Sequence, residues 1–120
     1  MRQIKFRAWD KKEKKLRKVV RIDFDNELFF VQLRTPTDIA PKHWCLRNKE
    51  DVILEQFTGL TDKNGKEIYE GDNINCPDGE YEVVYSERFA CFQFVGANSL
   101  EFYLLKYFKN PFEVIGNIHQ

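Results

Sequence analysis

The chain is poor in histidine, and it has no apolar segment long enough to cross a membrane. Only two of its 120 residues are histidine, and no apolar run approaches the ~18 residues that a membrane-spanning helix needs. Its first residues alternate between polar and apolar side chains, without the apolar segment of a signal peptide. We therefore expect a cytoplasmic protein that does not bind a membrane.

Cysteine is also scarce, which argues against disulfides and metal sites. Cys45, Cys76 and Cys91 are odd in number, and none of them forms a CxxC pair. His43 lies two residues before Cys45, so a site of three cysteines and one histidine is one alternative. Structural zinc sites usually contain two closely spaced pairs, whereas this chain has one. We expect reduced, buried thiols, no metal and no cofactor.

No group of residues predicts catalysis. Cys45 and His43 lack a third group that would orient a nucleophile and its base. Gly65-Lys66 lies within a predicted hairpin and not before a helix, so it does not predict a phosphate site. A divalent-cation site would need the C-terminal carboxylates to converge, but positions in turns and on outward strand faces explain them more simply. These carboxylates are Glu67, Glu70, Asp72, Asp78, Glu80 and Glu82. We expect a protein that is not an enzyme.

The net charge is zero, but the charges are unevenly distributed. Residues 1–60 contain 14 basic and 9 acidic side chains, a net charge of +5, whereas residues 61–120 contain 5 and 10, a net charge of −5. The basic part of one copy could therefore meet the acidic part of another, head to tail. A homo-oligomer is therefore one expected assembly.

Most of the positive charge lies in residues 1–21, where ten side chains are basic and two are acidic. If the first two strands pair, these charges converge on one outer face beside a tryptophan, and such a face can contact phosphates and stack a base. A solvated hairpin that resists aggregation is the alternative, and a neutral domain lacks the usual basic footprint of nucleic-acid binders. We call this candidate surface the basic stripe: Lys5, Arg7, Trp9, Lys11, Lys12, Lys14, Lys15, Arg17 and Arg21.

The composition favours β-structure, because 11 Phe, 5 Tyr and 2 Trp suit half-buried strands. In the second strand, Leu16 and Val20 are expected to face the core, and Arg17 and Arg21 to face solvent. Two prolines predict a loop over residues 34–42. The predicted strands are 4–9, 16–24, 28–33, 52–57, 72–76, 81–86, 89–95 and 113–118.

One helix is predicted before the last strand. Leu100, Tyr103, Leu104, Tyr107 and Phe108 follow the helical spacing i, i+3, i+4, between a capping serine and a terminating proline. The same aromatic residues would also suit a strand. We therefore predict an α+β fold that is mostly antiparallel β. An N-terminal meander occupies residues 1–50, and a second unit occupies residues 51–120, with a soft boundary between them.

The centre of the chain predicts a hairpin that turns at Gly65. A two-residue loop would place two lysines opposite each other, and also two carboxylates, which is unfavourable. A three-residue loop has Asp62 opening a type I turn and Gly65 in the left-handed conformation. This register places Asp62 opposite Lys66 and Leu60 opposite Ile68. We therefore predict the three-residue loop.

Three segments, Ile4–Asp10, Phe57–Asp72 and Glu113–Ile118, lie at the two ends and in the middle of the chain. They resemble the YopX-like proteins of phages and prophages, which makes phage or host proteins expected partners. The resemblance implies a phage or prophage of a Gram-positive bacterium as the source. It also implies that the C-terminal unit is similar to an SH3-like barrel. It supplies no catalytic or cofactor-binding residue, so we expect an accessory interaction or self-assembling module, with nucleic-acid binding as the alternative.

Overall fold

The structure is a computed structural model, and it describes residues 3–24, 30–34, 44–77, 79–96, 102–104 and 112–119. The chain divides into two compact units. One unit is Ile4–Gln56, and the other is Phe57–Gln120 together with Met1–Gln3. The division falls within one long strand, a little beyond the boundary that the sequence suggests after residue 50. We call them the N-terminal and C-terminal units.

The N-terminal unit is an antiparallel sheet with the strand order β4-β3-β2-β1-β5. Strands β4 and β5 lie at opposite edges of this sheet, yet only a three-residue 3-10 turn, Lys49–Asp51, joins them. The sheet of this unit must therefore curl back on itself. Its strands are β1 (Phe6–Asp10), β2 (Lys15–Asp23), β3 (Phe30–Arg34), β4 (Trp44–Asn48) and β5 (Val52–Thr61).

Strand β2 presents the opposite face to the core from the one that the sequence predicts. Arg17 is buried and Val19 packs against the buried Ala8, whereas Val20 and Phe24 are exposed. Arg17 lies opposite Ala8 in the β1–β2 pair, so the two residues share the inner face. Because side chains alternate along a strand, the inward position of Arg17 reverses the orientation expected for its neighbours up to Val20. The register shifts between Val19 and Arg21, and Arg21 is exposed as predicted.

The C-terminal unit contains a five-stranded antiparallel sheet with the order β10-β9-β8-β7-β11, and β6 pairs with the end of β5. Ring contacts extend through its core, with Phe94 at 6.4 Å from Tyr81 and at 5.3 Å from Phe112 between centroids. The strands are β6 (Glu67–Tyr69), β7 (Asp72–Cys76), β8 (Gly79–Ser86), β9 (Cys91–Gly96), β10 (Phe102–Leu104) and β11 (Glu113–Asn117). The buried core is Ile68, Ile74, Cys76, Tyr81, Val83, Phe94 and Val114.

The predicted α+β class is wrong, because the described chain has no helix before the last strand, whereas the predicted predominance of antiparallel β is confirmed. The described chain is almost entirely antiparallel β, and its one helical element is the 3-10 turn. Tyr103, placed in the helix by its spacing, lies in β10 opposite Phe94 of β9. Pairing with a neighbouring strand therefore outweighs a short helical pattern that was ambiguous from the start. Leu104 also lies in β10, opposite Gln93. The other residues that define the predicted helix, Leu100, Tyr107 and Phe108, lie outside the described part, as do residues 35–42 of the predicted loop.

Asp62 organises the hairpin between β5 and β6, and the predicted three-residue loop is confirmed. The backbone N–H of Asp62 donates to the carbonyl of Lys66 at 2.8 Å, and Gly65 has φ +81°. The Asp62 carboxylate accepts hydrogen bonds from the N–H groups of Asn64 (2.8 Å), Lys66 (2.9 Å) and Val114 (3.0 Å). One buried side chain thus closes the turn and ties β11 to it.

A bulge before this turn changes the predicted pairing of Leu60 with Ile68. Leu60 is exposed, whereas Ile68 is completely buried, and the β5–β6 register shifts between residues 57 and 61. Gly59 has φ +89° there, and the Thr58 hydroxyl donates to the carbonyl of Ile68 at 2.8 Å. The same oxygen accepts the N–H of Leu60 at 3.2 Å. Thr58 therefore replaces ladder hydrogen bonds that the bulge removes.

A second aspartate closes the next turn in the same way. The Asp72 carboxylate, which is buried, accepts the N–H of Tyr69 at 2.9 Å. Between them Gly71 has φ +87°, donates to the carbonyl of Val83 and accepts the N–H of Ile118. The residues of the central segment therefore stabilise two successive turns and the strand pairing around them.

The backbone at Gly65 gives a direct test of the hairpin. A Cβ added there would meet no atom within 4 Å, so any cost of substitution comes from the positive φ alone. Gly65→Val should lower the free energy of unfolding by about 1–2 kcal/mol, because a β-branched residue is strained in this region. Gly65→Asn is the matched control and should cost less, since asparagine tolerates this conformation. Equal urea-unfolding midpoints for the two variants would contradict the assigned turn.

Candidate functional site

The centre of the N-terminal unit is a completely buried carboxylate, Asp10. Arg47 donates to it from two nitrogens, Nε to Oδ1 at 3.1 Å and Nη2 to Oδ2 at 3.2 Å. Arg17 donates from Nε to Oδ2 at 3.2 Å, and the backbone N–H of Lys12 donates to Oδ1 at 3.1 Å. Asp10 therefore joins β1, β2, β4 and the turn after β1 through one side chain.

These contacts decide the protonation of Asp10. Burial raises the pKa of this carboxyl, but hydrogen bonds from Arg47, the Lys12 N–H and Arg17, with the charge of Arg47, outweigh burial and hold the pKa below the usual 3.8. A carboxyl whose pKa is lower in the folded chain than in the unfolded chain stabilises the fold at pH values above its unfolded pKa. This stabilisation is lost as the pH falls through the folded pKa. The unit should therefore weaken only below about pH 4.

Glu13 adds a second negative charge beside Asp10, Arg17 and Arg47. Arg17 also pairs with Glu13 through Nη2 and Oε2, and Arg47 lies 3.8 Å from the same carboxylate. Asp10, Glu13, Arg17 and Arg47 thus carry two charges of each sign. A buried cluster of this kind is stable only when every member is paired, so these residues are structural parts of the unit.

The structure does not bring the basic stripe together on one face. Arg17 faces the inside of the sheet, whereas Arg7 lies on the other face of β1 and donates to the buried Glu55 at 2.8 Å. Trp9 shares the face of Arg7 by strand alternation and is partly buried, as is Lys5. Arg7 and Arg17, two of the three arginines of the basic stripe, are thus paired within the unit.

Three further cations of the stripe also have partners nearby. Lys11 Nζ donates to the carbonyl of Glu50 at 3.1 Å, and Lys12 Nζ lies 3.5 Å from Asp51. Arg21 lies 4.0 Å from Asp23. Such exposed pairs contribute little free energy, but they lower the charge that the surface offers to a distant anion.

Lys14 and Lys15 remain as exposed cations at the end of the β1–β2 hairpin, which we call the basic hairpin end. Within the described residues neither ammonium group pairs with a carboxylate. Lys14 has φ +55°, and its N–H closes the turn by donating to the carbonyl of Asp10 at 2.7 Å. Lys18 is exposed as well, and sequence analysis did not include it in the stripe.

A second surface lies at the end of the β8–β9 hairpin, where sequence analysis proposed no site. Tyr85 is 46% exposed and Phe89 is 53% exposed, and the guanidinium of Arg88 lies 5.2 Å from the centre of the Phe89 ring. Tyr85 packs edge-on against Phe92 with the ring centroids 5.3 Å apart. We call Tyr85, Arg88 and Phe89 the aromatic hairpin end. The sequence does place Phe89 directly after the turn residues Glu87-Arg88, which could have indicated an exposed ring. Sequence analysis instead assigned Phe89 to the following strand.

The third surface is an acidic cleft of about 370 Å³ on the face of β7, β8 and β9 that points away from the core. Glu82 lies opposite Asn73 on β7 and opposite Val95 on β9. Within the described part of the chain, neither Glu80 nor Glu82 forms an ion pair. We define the acidic cleft by its lining residues Asn73, Glu80, Glu82, Val84 and Val95.

Among the residues that the structure describes, no three potential ligands come together as a metal site. Cys76 lies in the core, and Cys91 is partly buried at the start of β9. His43 and Asp78 lie outside the described residues. In the described ranges no helix is long and apolar enough to span a membrane.

Comparisons with known proteins agree with the resemblance seen in the sequence. A family model described as YopX protein matches residues 5–120. Among solved structures, the crystal structure of protein EF1440 from Enterococcus faecalis is similar, with a TM-score of 0.66 and 26% identity. The alignment covers 99% of this chain and 95% of that one. A search of curated proteins found no match.

Arg17 and Lys15 provide a matched test of the buried cluster. Arg17→Met should lower the free energy of unfolding by about 3–5 kcal/mol, because it leaves a buried carboxylate with fewer partners. Lys15→Met removes the same charge at an exposed position two residues from Arg17. It should change the free energy of unfolding by less than about 0.5 kcal/mol. The measurement is urea unfolding at neutral pH. Equal effects of the two substitutions would show that Arg17 is not part of a buried ion pair.

Proposed function

Since this chain belongs to the YopX protein family, we propose that it acts as a non-enzymatic protein-interaction module of a phage or prophage, in the cytoplasm of the bacterial host. The aromatic hairpin end carries this proposal. Tyrosine, phenylalanine and arginine are enriched at protein interfaces, and a few such side chains supply most of the binding free energy. Here all three residues project from one hairpin.

The ring of Tyr85 is held in position by packing against the core of the C-terminal unit. The core side of β8 carries the buried Tyr81 and Val83, and Tyr85 continues this row to the end of the strand. Phe92, which packs against the core, supports the ring of Tyr85 from β9. A ring fixed in this way loses little conformational entropy on binding.

The roles of the other polar residues support an interaction module over an enzyme. In the central segment, the side-chain oxygens of Thr58, Asp62 and Asp72 form hydrogen bonds with the backbone of turns and bulges. In the N-terminal unit, Asp10 and Glu55 bind buried arginines. These groups hold the scaffold, which leaves side chains at the hairpin ends to meet other molecules.

The aromatic hairpin end can be tested by site-specific cross-linking. A photoreactive phenylalanine analogue at position 89 should give one discrete adduct in lysate of the phage-bearing host. The same analogue at Leu46, which is 64% exposed in the other unit, is the control and should not give that adduct. The cross-linked protein is then purified, and its affinity is measured without cross-linking.

Replacing both Tyr85 and Phe89 with serine should weaken the purified complex at least about tenfold, because each truncated anchor removes on the order of 1–2 kcal/mol. Replacing the exposed Ile115 with serine is the control and should leave the affinity unchanged. Identical adducts from positions 89 and 46, or an affinity that does not respond to loss of both rings, would contradict the proposal.

Nucleic-acid binding is the second candidate, and the basic hairpin end together with Lys18 favours it. The three ammonium groups are exposed, and in the described residues none is paired with a carboxylate. Lys15 and Lys18 belong to β2, and Lys14 directly precedes it. Three neighbouring cations can follow a phosphate backbone, although the buried Arg7 and Arg17 cannot contribute.

Changing Lys14, Lys15 and Lys18 to glutamate should abolish salt-dependent binding to mixed-sequence DNA or RNA without unfolding the chain. Arg17 must remain unchanged, because its replacement would destabilise the buried cluster and confuse the result. For contacts to about three phosphates, the logarithm of the affinity should fall with that of the salt concentration with a slope of about −2 to −3. Binding that is absent from the unchanged protein at low salt would rule out this candidate.

A further inference from the structure

We propose that this chain recognises a second copy of itself head to tail, with the basic hairpin end of one copy seated in the acidic cleft of the next. The two units are oppositely charged. The N-terminal unit contains 13 basic and 9 acidic side chains, a net charge of +4, and the C-terminal unit contains 6 and 10, a net charge of −4. This contact does not use the aromatic hairpin end, so it goes beyond the function proposed above.

The acidic cleft presents its two carboxylates side by side. Glu80 and Glu82 are two residues apart on β8 and therefore point to the same face, about 7 Å apart along the strand. The alternate residues Tyr81 and Val83 are buried in the core, which confirms that the glutamates face outward. In the part of the chain that the structure describes, no cation neutralises them.

The apolar part of the acidic cleft favours a lysine-bearing polypeptide over a bare cation as the ligand. Val84 and Val95 line the cleft beside the two glutamates, and Val95 lies opposite Glu82. A lysine side chain can cover these valines with its stem while its ammonium group reaches a carboxylate, whereas a bare cation leaves them in contact with water.

The basic hairpin end has the matching chemistry. Lys14 and Lys15 are consecutive and exposed, at the end of a hairpin narrow enough to enter an open cleft. Their long flexible stems can lie along Val84 and Val95 while the ammonium groups reach the two carboxylates. Contact between two different surfaces makes the assembly heterologous, so it closes into a ring or extends as a filament.

Charge reversal tests this contact with two complementary variants. The first is Lys14→Glu with Lys15→Glu, and the second is Glu80→Lys with Glu82→Lys. The weight-average mass is measured by light scattering from about 1 µM to about 1 mM protein, at low and high salt. The unchanged chain should rise above its monomer mass of 14.4 kDa with concentration, and salt should reverse the rise.

Each variant alone should associate at least tenfold more weakly than the unchanged chain, because both of its surfaces then carry the same sign of charge. An equimolar mixture of the two variants should restore association, because each supplies the surface that the other needs. Lys49→Glu combined with Glu87→Lys reverses two exposed charges away from both surfaces and should leave association unchanged.

A mixture that does not associate, a control that weakens association equally, or an unchanged chain that remains monomeric up to the highest concentration would each overturn the proposal. The other functions can be told apart in the same samples. Replacing Tyr85 and Phe89 with serine should not alter this self-association. The cleft variant with Glu80→Lys and Glu82→Lys should keep any affinity for DNA while it loses self-association.

Discussion

The N-terminal unit depends on one constraint, which is that a carboxylate without access to water needs a partner for each of its oxygens. Asp10 is completely buried, and it meets this need with two arginines and a backbone N–H. Arg17 must therefore face inward, and this sets the orientation of β2. Arg47 must reach Asp10 from β4, which fits the curl of the sheet. The side chains that look like a basic surface in the sequence are consequently divided between the inside of the unit and its outer face.

In the C-terminal unit, backbone N–H groups take the place of arginines as the hydrogen-bond donors to a buried carboxylate, that of Asp62. Burial raises the pKa of Asp62, but the N–H groups of Val114, Lys66 and Asn64, with the charge of Lys66, outweigh burial and hold the pKa below 3.8. Asp72 closes the following turn in a similar manner. The most recognisable segment of the chain is therefore explained by folding, because its aspartates and glycines specify turns. Chemistry directed at other molecules is left to three exposed places: the basic hairpin end, the aromatic hairpin end and the acidic cleft.

Local features were predicted from the sequence better than long-range ones. The turn at Gly65 was predictable because the opposed charges and the glycine act within a few residues. The face of β2 was not predictable, since its alternation is consistent with either side facing inward. The deciding partner is Asp10 on the neighbouring strand, and Asp10 is also bound by Arg47, which lies thirty residues from Arg17 in sequence. The strand at Tyr103 was missed for the same reason, because its partner on β9 overrides a helical spacing. The basic stripe failed to form one surface because burial of Arg7 and Arg17 depends on carboxylates that no local pattern connects to them.

The central claim is that two aspartates of the recognisable segments, Asp10 and Asp62, are buried, charged and paired, and so belong to the scaffold. The most direct test is a pH titration of the aspartate side-chain carboxyl carbons by NMR, with Asp10 and Asp62 assigned by single substitutions to asparagine. We predict that both carboxyls titrate below 3.8 and that unfolding accompanies their protonation, since each contributes stability only while it is charged. A titration of either carboxyl at or above 3.8 in the folded chain would contradict this account. That result would mean that its partners do not hold the charge, and it would reopen Asp10 or Asp62 as a functional group.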